Sequence, residues 1–126
     1  MEEIDDGSTS HKRICVDFDG VIHQYSKKYH DGTIYDGPMA GAKEFLTKMK
    51  QQGYGIVVYT ARPFDTITYE IGIQRIKEWL NKWDIPYDLV TGWKIPAVAY
   101  IDDRAVKFDG NWDFVEKEVK KLSGDY

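Results

Sequence analysis

Ile14-Cys15-Val16-Asp17-Phe18-Asp19-Gly20-Val21 is the stretch that decides how this chain is read. Ile14 to Phe18 is a short apolar run of the kind that forms a buried strand. Two carboxylates, one residue apart, close it, and Gly20 then permits a sharp turn. A strand that delivers Asp-x-Asp to its own C-terminal end sets acids where open α/β sheets bind ligands. Taken alone, the pattern is more often an acidic turn, because so short a motif arises by chance. Its weight depends on what the rest of the chain brings to the same place.

The sequence around it predicts one domain. The chain has 126 residues, enough for a single core, and apolar and charged fractions ordinary for a globular protein. Met1 to Ser10 is acidic, then small and polar, and is expected to be a flexible tail ahead of a domain spanning 11–126. A net charge of −4 argues against a dominant electrostatic hold on nucleic acid or anionic lipid. No apolar run approaches the ~20 residues of a membrane span, and no signal-peptide pattern opens the sequence. Cys15, the only cysteine, sits inside the first strand as a buried thiol. A cytoplasmic, reducing location is the expectation.

Downstream, Ile22 to Tyr35 is polar and aromatic, with Asp31-Gly32 and Asp36-Gly37 close by, and predicts a small hairpin flap. Pro38 to Gln52 predicts a helix with Ala42, Phe45, Leu46 and Met49 inward. Ile56 to Tyr59 is a β-branched strand. Pro63 then bars its extension as a central strand. A second helix is expected from about Thr66 to Trp83, its core stripe Tyr69, Ile73, Ile76, Leu80 and Trp83 widened by Trp79. Tyr87 to Val90 and Ala97 to Ile101 read as strands, the latter covered on both faces. Asn111 caps a last helix, Trp112 to Leu122, with Val115, Val119 and Leu122 as its apolar stripe. The order implies an α/β Rossmann-like three-layer sandwich, with a mostly parallel sheet and a small flap after the first strand.

In a parallel sheet the polar clusters that follow each strand converge on one edge. They are Asp17/Asp19, Thr60/Arg62 and Asp102/Asp103, with Lys94 able to reach them from its loop. Four carboxylates together repel, each pair by roughly 4 kcal/mol at 4 Å and an effective dielectric of 20. Either some stay protonated or a cation sits among them, and an oxygen-only donor set suits Mg²⁺. Adjacent residues of an extended chain point to opposite faces, so only one of Asp102 and Asp103 is expected as a close ligand. Thr60, Lys94 and Arg62 opposite the acids suit a phosphoryl group. Asp17 could attack phosphorus and form an aspartyl-phosphate, with Asp19 as acid and then base.

Asp17-Phe18-Asp19-Gly20-Val21, Thr60, Lys94 and Asp102-Asp103 resemble, in order and in strand-end placement, the four motifs of the haloacid dehalogenase superfamily. The resemblance covers roughly Ile14 to Asp109. It implies a small capless Mg²⁺-dependent phosphatase, because phosphotransfer members carry the second Asp of the first motif. It further implies that Asp17 is nucleophile and metal ligand, and that Asp19 is the acid/base and lends its backbone carbonyl to the metal. By the same resemblance Thr60 binds phosphate, Lys94 steadies nucleophile and phosphate, and Asp103 is the preferred direct ligand, with Asp102 beside it. The usual Gly-Asp of the last motif is Asp-Asp here. Thr60-Ala61-Arg62 and Asp102-Asp103-Arg104 also resemble the 3′-phosphatase half of polynucleotide kinase-phosphatases, which would make Arg62 a substrate contact. From its sequence alone, Arg62 reads equally as a surface pair partner near the sheet edge.

The expected substrate is a phosphorylated small molecule, a nucleotide or a nucleic-acid end. Tyr25, Tyr29, Lys27 and Lys28 of the flap could stack on and pair with such a ligand. His23 and His30 lack partners at metal-ligand spacing. Two other readings compete: a phosphate-accepting module similar to a response-regulator receiver, and an idle relative that only binds metal or a partner. In receivers, however, the paired acids come early and the acceptor later, which is not the pattern here.

Overall fold

The computed structural model describes residues 12–62 and 68–124. The acidic tail, Pro63 and the expected start of the second helix at Thr66 lie outside these residues. Among the described residues, four strands and three helices follow in the order β1 (Arg13–Asp17), α1 (Ala42–Gln51), β2 (Gly55–Tyr59), α2 (Tyr69–Lys82), β3 (Leu89–Thr91), β4 (Ala99–Ile101) and α3 (Trp112–Ser123). The sheet is parallel throughout, in the order β3-β2-β1-β4, an α/β Rossmann-like arrangement.

Alternation along the strands divides the core in two. Ile14, Val16, Ile56, Val58 and Val90 face α1 and α2, where they meet Leu46, Ile73, Ile76, Trp79 and Leu80. Cys15, Val57 and Leu89 face the other way, against Ile95, Ala97 and Tyr100. The segment ahead of β4 therefore covers the second face. It is tied down by Arg13 Nη1, which donates to the Pro96 carbonyl at 3.0 Å, and by Tyr100 Oη, which accepts from the Ile95 N–H and donates to the Ile95 carbonyl.

Several expectations are corrected. The flap is not a hairpin: only isolated bridges, Asp19 with His23 and His23 with Pro38, interrupt an irregular loop. Its Asp-Gly at 31–32 forms a local Asx turn instead, Asp31 Oδ1 accepting from the Thr33 N–H at 2.9 Å. Pro38 is used in the bridge to His23, so α1 begins only at Ala42, after Gly41 with φ of 88°. Phe45 and Trp83 lie at the solvent margins of their helices, 42% and 39% exposed. β4 is a three-residue edge strand with Ala99 exposed, not a strand covered on both faces. The stripe of α3 does not enter the core; no residue of that helix is buried.

Candidate metal and phosphoryl site

Register brings the site together. Asp17, the last residue of β1, is level with Tyr59, so Thr60 follows one step beyond on β2. Val16 is level with Ile101, so Asp102 leaves β4 beside Asp17. Phe18 continues the ladder by one bond, its N–H donating to the Tyr59 carbonyl at 3.1 Å. The Phe18 carbonyl then accepts from the N–H groups of Ile22 and His23 at 3.0 and 2.9 Å, and the chain coils on itself.

That coil separates the first two acids. The carboxylates of Asp17, Asp102 and Asp103 each offer an oxygen, all within 4.8 Å of one another. Asp19 goes elsewhere. It receives Arg62 Nε at 2.7 Å and Nη2 at 3.0 Å, and His23 Nδ1 at 2.8 Å. Thus three of the expected four carboxylates form the cluster.

Asp102 and Asp103 both reach Asp17, contrary to the expectation that only one would. The strand ends at Ile101, and Asp102 Oδ1 accepts from the Arg104 N–H at 2.7 Å. This turn abandons the extended geometry that would have sent the two side chains to opposite faces. Gly20 is held against the same cluster: its φ is +88°, and a Cβ there would fall on the Asp103 carboxylate.

Electrostatics distinguishes the two motif acids. Burial, the Asp102 charge and a hydrogen bond with the Asp103 carboxyl push Asp17 up to about 8. Asp19 moves the other way. Burial alone would raise it, but the hydrogen bonds from His23 and Arg62 and the Arg62 charge outweigh that and hold it below the usual carboxylate range. His23 is fully buried and joins two segments: Nε2 accepts from the Asp36 N–H at 3.0 Å, so Nδ1 carries the proton donated to Asp19.

Thr60 is 1% exposed, and its Oγ1 accepts from the Arg62 N–H at 3.1 Å. Ala61 is exposed between them. Arg62 is buried, and its Nη1 donates to the flap carbonyl of Thr33 at 2.9 Å. It is an ion-pair partner in this arrangement, but an interior one. Lys94 is exposed with its Nζ 5.7 Å from the Tyr100 ring centroid, and among the described residues no hydrogen bond or ion pair joins it to the acids. Within the flap, Tyr25 and Tyr35 stack on each other at 5.9 Å, and Lys27 pairs with Asp31 at 3.0 Å, leaving Tyr29 and Lys28 outward.

Sequence reasoning missed two supports of the site, the His23 bridge and the Arg62 latch on Asp19. The available signal was a histidine four residues after Asp19, directly behind Val21-Ile22. The three-acid group could hold a hard divalent cation: all its donors are oxygens, and burial with the neighbouring carboxylates disfavours the Asp17 anion unless a positive charge sits beside it.

No protein-family model matches the chain. Among solved structures it is similar to a structural-genomics target from Vibrio cholerae, with a TM-score of 0.52 and 29% identity, over 88% of this chain and 98% of that one. It is also similar in fold to a conserved protein from Bacteroides thetaiotaomicron, with a TM-score of 0.53 and 20% identity, over 92% of this chain and 93% of that one.

Proposed function

We propose that this chain is a Mg²⁺-dependent phosphomonoester hydrolase working through an aspartyl-phosphate on Asp17. The observation that carries the proposal is the meeting of the Asp17, Asp102 and Asp103 carboxylates at the C-terminal ends of adjacent parallel strands, with Thr60 closing the next strand. The motif resemblance to the haloacid dehalogenase superfamily supports the same chemistry.

Asp17, Asp102 and Asp103 would hold the ion. Bound Mg²⁺ would keep Asp17 ionised and reduce its repulsion with the phosphate dianion. An Asp17 oxygen attacks phosphorus, and the bond from phosphorus to the leaving oxygen breaks. Asp19 supplies the proton that the leaving oxygen takes. Water then attacks the aspartyl-phosphate, Asp19 accepts its proton, and inorganic phosphate leaves with Asp17 restored. Thr60 Oγ1 already accepts from the Arg62 N–H, so its own proton can be donated to a phosphoryl oxygen. The hydrogen bonds from Arg62 and His23 hold Asp19 in its base form. Its acid form requires Arg62 to turn from Asp19 toward the incoming phosphate, and Lys94 must likewise swing from Tyr100.

The test is release of inorganic phosphate from phenyl phosphate. It should require Mg²⁺, stop with chelator, and fall more than about a thousandfold in Asp17→Asn. Undiminished turnover in that variant would remove Asp17 as nucleophile. A stable phospho-Asp after acetyl phosphate treatment, without turnover, would indicate an accepting module instead.

A further inference from the structure

Beyond Arg62 the surface opens into a cavity of about 470 Å³ between the flap and α2. Ile34, half-buried, and the edge of Trp79 give it an apolar side. Arg75 and Lys82 line the same cavity from one face of α2, two turns apart. Among the described residues neither is paired with a carboxylate, and Lys82 Nζ lies 5.8 Å from the Trp83 ring centroid. Glu78 is the one acid of the lining, and it receives Gln74 Nε2 at 3.4 Å. In a chain with a net charge of −4, this is a local excess of positive charge beside an apolar wall.

We propose that this cavity receives the leaving group of the phosphoester, and that the leaving group is a ring-sized apolar body carrying a second acid group. The proposal rests on the phosphatase reading above. In-line attack places the leaving oxygen on the side of phosphorus away from Asp17, where Asp19 must reach it. Asp19 is bonded to Arg62, and Arg62 is itself part of the cavity wall, so the cavity begins one side chain beyond the acid/base. Its volume lies within the ~300–1,000 Å³ of small-molecule sites. The Ile34 and Trp79 side suits a ring, and Arg75 with Lys82 suits a carboxylate or a second phosphate.

Phenyl phosphate and 3-carboxyphenyl phosphate form a matched pair differing by that acid group. The wild type should favour the carboxylated ester by about tenfold in kcat/KM. Arg75→Ala/Lys82→Ala should bring the two esters to within about twofold of each other. Equal rates in the wild type, or a preference that survives the double substitution, would overturn the proposal. Turnover of neither ester would overturn the phosphatase reading and the leaving-group assignment with it. Amide NMR titration with 3-hydroxybenzoate then tests the cavity separately. Shifts at Gly72, Ile76 and Trp79 that vanish in the double variant support an acid-carrying ligand there, and no shifts at those residues would overturn that too. The amide spectrum also reports whether the double variant is folded.

Discussion

Asp19 and Arg62 meet through two hydrogen bonds, and their side chains are 19% and 6% exposed. Removing one partner leaves the other charge largely out of water, which costs far more than the pair contributes. Arg62→Ala should therefore destabilise the fold by about 3 kcal/mol, read as a lowered urea midpoint with unchanged slope. Asp19→Asn in that background should recover part of the loss, because the orphaned charge disappears. Arg62→Lys should rescue poorly, since an ammonium cannot reproduce the fork across both Asp19 oxygens and still reach the Thr33 carbonyl. The arginine was visible in the sequence as a polar residue after a strand. Its role was not, because Asp19 lies 43 positions away and only the fold brings them together.

At the scale of elements, the turn after β1 and the two capped helices make contrasting cases. Gly20→Ala forces a Cβ into a left-handed conformation and onto Asp103. It should cost about 1–2 kcal/mol in thermal or urea stability and weaken the thermal shift produced by Mg²⁺. Thr68 and Asn111 cap α2 and α3 in the same way, each side chain accepting an N–H three residues on. Yet α2 buries Ile73, Ile76, Trp79 and Leu80, whereas α3 buries nothing. Thr68→Ala should lower the global midpoint by about 1 kcal/mol. Asn111→Ala should instead speed hydrogen exchange within α3 and leave the midpoint in place, because that helix opens locally. Both caps were legible as sequence patterns. The difference in their consequences was not, because periodicity reports an apolar face without reporting what covers it.

Across the whole molecule, the acid cluster sets a pH dependence. Asp17 moves from an ordinary 3.8 to about 8 on folding without a cation. Between those values the folded chain binds more protons than the unfolded one, so this group stabilises below 3.8 and the benefit is lost as pH rises through about 8. Asp19 acts oppositely: its lowered value contributes stability above the unfolded pKa that is lost on acidification. The metal-free protein should thus show a melting temperature that declines from mildly acidic toward alkaline pH. Asp17→Asn should flatten that decline, and Mg²⁺ should raise the wild-type melting temperature most at the alkaline end. A decline unaffected by either change would assign the pH dependence to other groups.

The sequence by itself determined the strand ends. Short β-branched and apolar runs closing in Asp17, Thr60 and Asp102, too short for helices and flanked by turn residues, read as strands that deliver polar groups to one edge of a parallel sheet. Fold class and the buried cysteine followed from pattern alone. The tertiary structure decided which acids meet. Phe18 accepts three N–H groups and turns Asp19 away toward Arg62 and His23, while the Asx turn at Asp102 swings Asp103 toward Asp17. It also decided that the flap is an irregular loop, bridged at His23 and latched by Arg62 to the Thr33 carbonyl. These outcomes rest on hydrogen bonds between residues far apart in the chain and on single turns of the backbone. Hydrophobic periodicity carries no record of either.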